Sequence, residues 1–149
     1  MSDVLTLGQP ALRLEIEVSA PVSLDGAPMP AGGPVRLVAI GGGRVSGTLA
    51  GVPLEGRILP GGADWQTIRT DGMIEIDARY LLECGDGWRA ELRCRGLRGG
   101  AATGFWSSIE LRCPAHPVLD AVQCVGWGRK LPQGVVIDVW PLPAAGPQG

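Results

Sequence analysis

With 149 residues the chain is long enough to bury a core of its own without cross-links, so one domain over residues 1–149 is expected. Hydrophobic residues make up 45% and charged residues 19%, a globular balance, so the 24 glycines and 13 prolines read as turn punctuation rather than disorder. The net charge of −2 comes with arginines interleaved among acids, which excludes the clustered positive charge that nucleic-acid binding needs. Met1-Ser2-Asp3 has no basic start, and no apolar run nears the roughly 20 residues of a membrane span, so a cytoplasmic protein with no membrane contact is expected.

Taken in chain order, the elements alternate with period two. Leu12, Leu14, Ile16 and Val18 face one way, and Arg13, Glu15 and Glu17 the other. Glycines at 47, 51 and 56 suit the tight bends of a closing sheet. Ile74, Ile76, Ala78, Tyr80 and Leu82 form the next apolar face, followed by Trp88, Ala90, Leu92 and Cys94. Phe105, Ser107, Ile109, Leu111 and Cys113 make a fourth face, and Val135, Ile137 and Val139 a last one. Between them lie turn sequences: Leu24-Asp25-Gly26, Ala31-Gly32-Gly33-Pro34, Gly41-Gly42-Gly43, Pro60-Gly61-Gly62, Asp71-Gly72, Gly85-Asp86-Gly87 and Pro132-Gln133-Gly134. No stretch carries a helical stripe over a dozen residues. The pattern predicts an all-β fold, a single antiparallel β-barrel of eight to ten strands with a central apolar pocket. Pro141 to Gly149 lacks alternation and reads as a loose tail.

The four cysteines, Cys84, Cys94, Cys113 and Cys124, contain no C-x-x-C pair, so they are expected as reduced, small apolar residues, with no metal and no cofactor. His116, the sole histidine, sits in Pro114-Ala115-His116-Pro117, an exposed turn by its sequence, which leaves no partner for a serine or cysteine nucleophile. Gly41-Gly42-Gly43 is followed by no Lys-Ser or Lys-Thr and so is not a phosphate loop. Arg89, Arg93 and Arg95 read as partners of Glu75, Asp77 and Glu110 on a solvated outer face.

Leu59-Pro60-Gly61-Gly62-Ala63-Asp64-Trp65-Gln66, then Asp71-Gly72 and Asp77-Ala78-Arg79-Tyr80, resembles the domain-of-unknown-function family numbered 3237. Leu92 with Arg95-Gly96-Leu97-Arg98, Val125-Gly126-Trp127-Gly128 and Pro132-Gln133-Gly134-Val135-Val136-Ile137 extend that resemblance, which runs from about Leu12 to Trp140. The resemblance implies a compact β-barrel with a central cavity and no assigned reaction. Three departures stand out. Gly99 to Gly104 is short where the family carries an acidic, partly helical insertion. Cys94 and Asp120 stand where the family has asparagines inside the barrel, and Cys124 where it has a phenylalanine.

Asp120, Tyr80 and Asp64 are the candidate catalytic residues. If Val118, Asp120, Val122 and Cys124 share the inward face, Asp120 is a desolvated carboxylate with a raised pKa, suited to proton transfer; in the other frame Leu119, Ala121, Gln123 and Val125 face inward. Family pattern favours the first. Tyr80, the single tyrosine, lies on an apolar face and needs a partner for its hydroxyl. Asp64 and Trp65 occupy a glycine-rich corner, either as a ligand contact or as a turn cap and plug. Trp65, Cys94, Phe105, Trp106, Cys124 and Trp127 are the candidate binding wall, with ordinary core the competing reading for the aromatics. Two functions fit. One is a cofactor-independent isomerase, cyclase or hydro-lyase acting on a small hydrophobic carbonyl compound of secondary metabolism. The other is a non-catalytic carrier of an apolar small molecule. A homodimer is compatible with either.

Overall fold

The computed structural model describes residues 7–23 and 35–143. The turns read at 24–26 and 31–34 and residues 144–149 of the tail lie outside the described residues. Eleven strands follow in order: β1 (Leu12–Val18), β2 (Val22–Ser23), β3 (Val35–Leu49), β4 (Val52–Pro53), β5 (Gly56–Ile58), β6 (Ala63–Ile68), β7 (Met73–Cys84), β8 (Trp88–Gly99), β9 (Gly104–Arg112), β10 (Cys124–Leu131) and β11 (Gly134–Pro141). A 3-10 helix, Pro117–Ala121, separates β9 from β10. The path β1-β11-β10-β9-β8-β7, then β5 and β6 together, then β3, is antiparallel throughout and closes because β1 pairs with both β11 and β3. The fold is thus an eight-stave closed barrel with short extra strands, as the alternation predicts.

Glycine placement makes that closure possible. The stretch Gly41-Gly42-Gly43, expected as a turn, instead runs through the middle of β3, a strand of 15 residues. Gly43 has φ +146°, and a Cβ there would sit 2.0 Å from the carbonyl oxygen of Glu15 on β1. Gly47, at φ +121°, is equally close to Ala11. Only glycine lets β3 bend this sharply and still pair with β1. The bend also lets the first half of β3 pair with β6 and the second half with β5, so two short strands share one stave.

The period-two faces point where the sequence puts them, with instructive exceptions. Ile74, Ile76, Ala78, Tyr80 and Leu82 are all buried, as are Phe105, Ser107, Ile109, Leu111 and Cys113. Val18 is not: the register shifts between Glu17 and Val18, and the strand end turns its side chain outward. Pro141, assigned to the tail by its sequence, pairs with Cys124, and the Leu142 N–H donates to the Gln123 carbonyl. All four cysteines are free and buried. The outer face carries the cross-strand ion pairs, Arg93 to Asp77 at 3.1 Å and Arg95 to Glu110 at 3.2 Å, while Arg89 pairs with Glu83 rather than Glu75.

The two ends of the barrel differ. At one, the β7–β8 turn, the 50–55 segment and the 3-10 helix converge, and Leu119, fully buried, joins the hydrophobic core that also holds Leu49, Leu54, Cys84, Ala90 and Cys113. At the other end, the turns 69–72, 100–103 and 132–133 surround a group of polar side chains. The first end is sealed by hydrocarbon. The second holds the barrel's buried polar side chains.

Candidate functional site

The polar group at the second end is built on β6. Ala63–Ile68 forms a strand, not the glycine corner expected for Asp64 and Trp65, and strand parity decides which side chain goes inside. Gln66 is buried and Asp64 shares its face, whereas Trp65 is 57% exposed on the outer face. Pairing of β6 with β7 skips Trp65 and Gln66. In that gap the Asp77 backbone N–H donates to Asp64 Oδ1 at 3.0 Å, so the carboxylate substitutes for a ladder carbonyl. The Gln66 amide donates to Asp64 Oδ2 at 2.6 Å, and Arg36 Nε donates to Gln66 Oε1 at 2.7 Å. An arginine, an amide and a carboxyl thus form one relay running inward from β3 to β6.

Burial raises the Asp64 pKa above its ordinary value, more strongly than its two donors and Arg36 lower it. A carboxyl whose pKa is raised is a stronger base once ionised, which suits it to taking and returning a proton. Tyr80 on β7 is its neighbour. Burial pushes the Tyr80 phenol well up, with the charges of Cys94 and Asp64 adding to the rise, so it stays a protonated donor. Its hydroxyl is fully enclosed and has no hydrogen-bond partner among the described residues. Leaving such a group unsatisfied costs about 1–3 kcal/mol.

The wall beside these groups is made of small residues. Registers place Ile76, Gly96, Ser107 and Gly126 in one row across β7, β8, β9 and β10. A Cβ on Gly126 would meet Ser107 Oγ and Ile137 at 2.9 Å, and one on Gly128 would lie 2.3 Å from the Phe105 ring. Cys94 and Cys124 face inward with Phe105. Burial raises both thiols to about 11, so they line the wall as neutral, unreactive groups. Arg98 on β8 is only 5% exposed and donates to the Ala102 carbonyl at 3.0 Å.

Several expected positions are corrected. Asp120 does not enter the barrel: it lies exposed on the 3-10 helix, and its Oδ1 accepts the Cys113 N–H at 2.7 Å. Pro117 starts that helix, so Val118 to Val122 is not a strand, and the period-three turn sends Leu119 inward instead. Trp106 and Trp127 are not cavity wall either. Phe105 and Trp106 are consecutive strand residues, so only one can point inward. Trp106 is 54% exposed and stacks at 4.9 Å on its cross-strand partner Trp127, with Trp140 at 6.3 Å, on the outside of the barrel. A cleft of about 600 Å³ beside Trp106 therefore belongs to the outer surface. His116 is half-buried, its ring edge-on to Trp88 at 4.7 Å.

Gln66, Arg36 and Arg98 were not singled out from sequence. Extending two alternations finds the buried pair: Gln66 has the parity of Asp64, and Arg98 that of Leu92 and Cys94. No cluster of three potential ligands for a metal ion occurs among the described residues, and no helix there is long and apolar enough to cross a membrane.

The barrel is shared with known proteins. A UPF0311 protein from Bradyrhizobium diazoefficiens is 38% identical over 65 residues, a stretch that spans 44% of this chain and only 40% of that protein's own length. A solved β-barrel-like protein from Acinetobacter baumannii is 27% identical with a TM-score of 0.73, covering 91% of this chain and 94% of the other. A solved structure described as an enzyme from Penicillium herquei, 17% identical with a TM-score of 0.63, covers 93% and 98% and shows the same fold. Residues 8–105 match the family model of proteins of unknown function designated DUF3237, and with Asp64, Gln66 and Tyr80 all inside that match, the chain belongs to the DUF3237 family.

Proposed function

We propose that the chain is a cofactor-independent acid–base catalyst acting on a small carbonyl compound held in the polar half of the barrel. Asp64 moves the proton and Tyr80 holds the oxygen. The observation that carries this reading is the enclosed Tyr80 hydroxyl, unpartnered and within the electrostatic reach of a carboxyl whose pKa is raised. A substrate carbonyl accepting from Tyr80 satisfies that hydroxyl. Asp64, as carboxylate, takes a proton from the carbon beside the carbonyl; the C–H electron pair moves into the new C=C bond and the carbonyl π pair onto oxygen, where the Tyr80 O–H stabilises the enolate. Returning the proton to a different carbon isomerises the compound; expelling or adding an oxygen at the next carbon gives elimination, addition or ring closure. The Penicillium herquei protein described as an enzyme has the same barrel, which is consistent with catalysis on this fold.

The test is proton exchange. A panel of small ketones is incubated with the protein in D₂O, and deuterium incorporation beside the carbonyl is followed by NMR. The reading predicts exchange with at least one of them that collapses in Asp64→Asn and drops sharply in Tyr80→Phe. Ligands that bind inside the barrel without exchanging faster than in Asp64→Asn favour a carrier.

A further inference from the structure

Nine of the thirteen basic residues sit within 4.0 Å of a carboxylate on the outer face. Of the other four, Arg36, Arg98 and Lys130 converge on the same polar rim. The β8–β9 hairpin tip links two of them: Arg98 Nη1 donates to the Ala102 carbonyl, and the Lys130 backbone N–H donates to the next one, Thr103. Lys130 comes next in the parity of Cys124, Gly126 and Gly128 and is exposed at the end of β10, close enough to Arg98 and Arg36 to feel their charge. Arg36 on β3 is bonded to buried Gln66. The three charges oppose one another, since Arg98 and Lys130 are each lowered by burial first and by their cationic neighbours next.

Assembling three cations around a single half-buried carboxyl is unfavourable unless something else is held there. Arg98 makes the point most clearly. The residue is only 5% exposed, its guanidinium has five N–H donors, and among the described residues its side chain is bonded only to the Ala102 carbonyl. We propose that the rim is an anion seat, and that the compound bound in the polar half carries a carboxylate held by Arg36, Arg98 and Lys130 while its carbonyl reaches Tyr80. The planar fork of a guanidinium matches the two oxygens of a carboxylate, which favours that group over a compact tetrahedral anion. Resting on the catalytic reading above, this narrows the substrate to a small keto acid or a carboxylate-bearing aromatic ketone. The anion would fix which carbon faces Asp64, and the cations would draw negative charge toward the rim.

The experiment compares benzoate with benzamide, of the same shape but without charge, and with inorganic phosphate. Binding is followed by the NMR signals of the arginine Nε–H groups in protein labelled with ¹⁵N. The expected result is that benzoate shifts Arg36 and Arg98 and binds at least about tenfold more tightly than benzamide. Lys130→Met, a rim change that touches no core residue, and Arg36→Gln each weaken benzoate several-fold and leave benzamide unchanged. Equal affinity for the two aromatics overturns the anion seat and leaves the catalytic reading standing. Phosphate binding more tightly than benzoate overturns the carboxylate assignment. Benzoate binding that neither variant weakens places the anion elsewhere and overturns the proposal, and no binding of any probe overturns the anion seat while ketone exchange still decides the catalytic reading. Tight benzoate binding without ketone exchange sinks only the proton-transfer step.

Discussion

The two ends of this barrel obey the same strand parity and reach opposite outcomes. At the closed end every inward position is hydrocarbon or thiol, and the 3-10 helix adds Leu119 as a stopper. At the open end the same inward parity delivers Asp64, Gln66 and Arg98, and a tyrosine hydroxyl with no partner. Burial stabilises the first and costs the second, because polar groups removed from water must recover their hydrogen bonds. The closed end is where the fold gains its stability, and the open end is where buried polar groups cost it.

The comparison breaks most visibly at Asp64. Asp64→Asn keeps the shape and still receives the Asp77 N–H, but cannot take a proton, so ketone exchange should fall by about 10²–10⁴-fold. Circular dichroism should show an intact barrel in the same sample. Next in size is the closed end. Leu119→Ala removes a side chain that is 0% exposed, and urea denaturation should register a loss of about 2–5 kcal/mol while exchange in the surviving folded protein is unchanged. A similar stability loss at Asp64 with no loss of exchange would invert the two roles.

Tyr80→Phe sharpens the contrast, because one change should move the two measurements in opposite directions. Deleting an unpartnered buried hydroxyl removes a desolvation cost, so the variant should be equal in stability or firmer by about 1–3 kcal/mol. Exchange should drop, since the enolate loses its donor. A Tyr80→Phe protein that unfolds more easily would mean that the hydroxyl is satisfied within the fold. Smaller still is Asp120→Ala, which removes a carboxylate accepting the Cys113 N–H at 2.7 Å. About 1 kcal/mol of stability should go, and exchange should stay at the level of the unmodified protein.

Asp120 also marks the limit of what was legible from sequence. The barrel is written in the alternation of β7, β8, β9 and β11, because one wet and one dry face leave period two as the only pattern that works. Tyr80 and Cys94 could be placed inside on that ground alone. Asp120 could not, since Val118 to Cys124 alternates by composition while Pro117 starts a helical turn, and a local dihedral preference overrides a face pattern seven residues long. Trp106 failed for a related reason. Parity allows one of two adjacent aromatics inside, and which one is settled by Gly128, the cross-strand partner of Phe105 on β10, whose missing side chain makes room for the ring. Gln66 and Arg98 were hidden by their own polarity: an arginine on an apolar face looks like the end of a strand until its neighbours are seen to be polar too.

The smallest effect separates the two meanings that a buried carboxyl can have. Desolvation raises the folded-state pKa of Asp64 above its ordinary 3.8, whereas in the unfolded chain it returns to that value. Between the two values the folded protein binds more protons than the unfolded one, so this group makes stability fall as pH rises through the window. Below 3.8 both states are protonated and the penalty vanishes; above the folded value both are ionised and it is constant. Asp64→Asn carries no such titration. Urea midpoints measured at closely spaced pH values should therefore show the unmodified protein losing ground to Asp64→Asn as pH climbs from about 3.8, then running parallel to it. The opposite slope would mean that Gln66 and the Asp77 N–H hold the carboxylate more firmly than burial disfavours it. Asp64 would then be a structural clasp replacing a missing ladder bond, and the open end would bind its ligand without moving a proton.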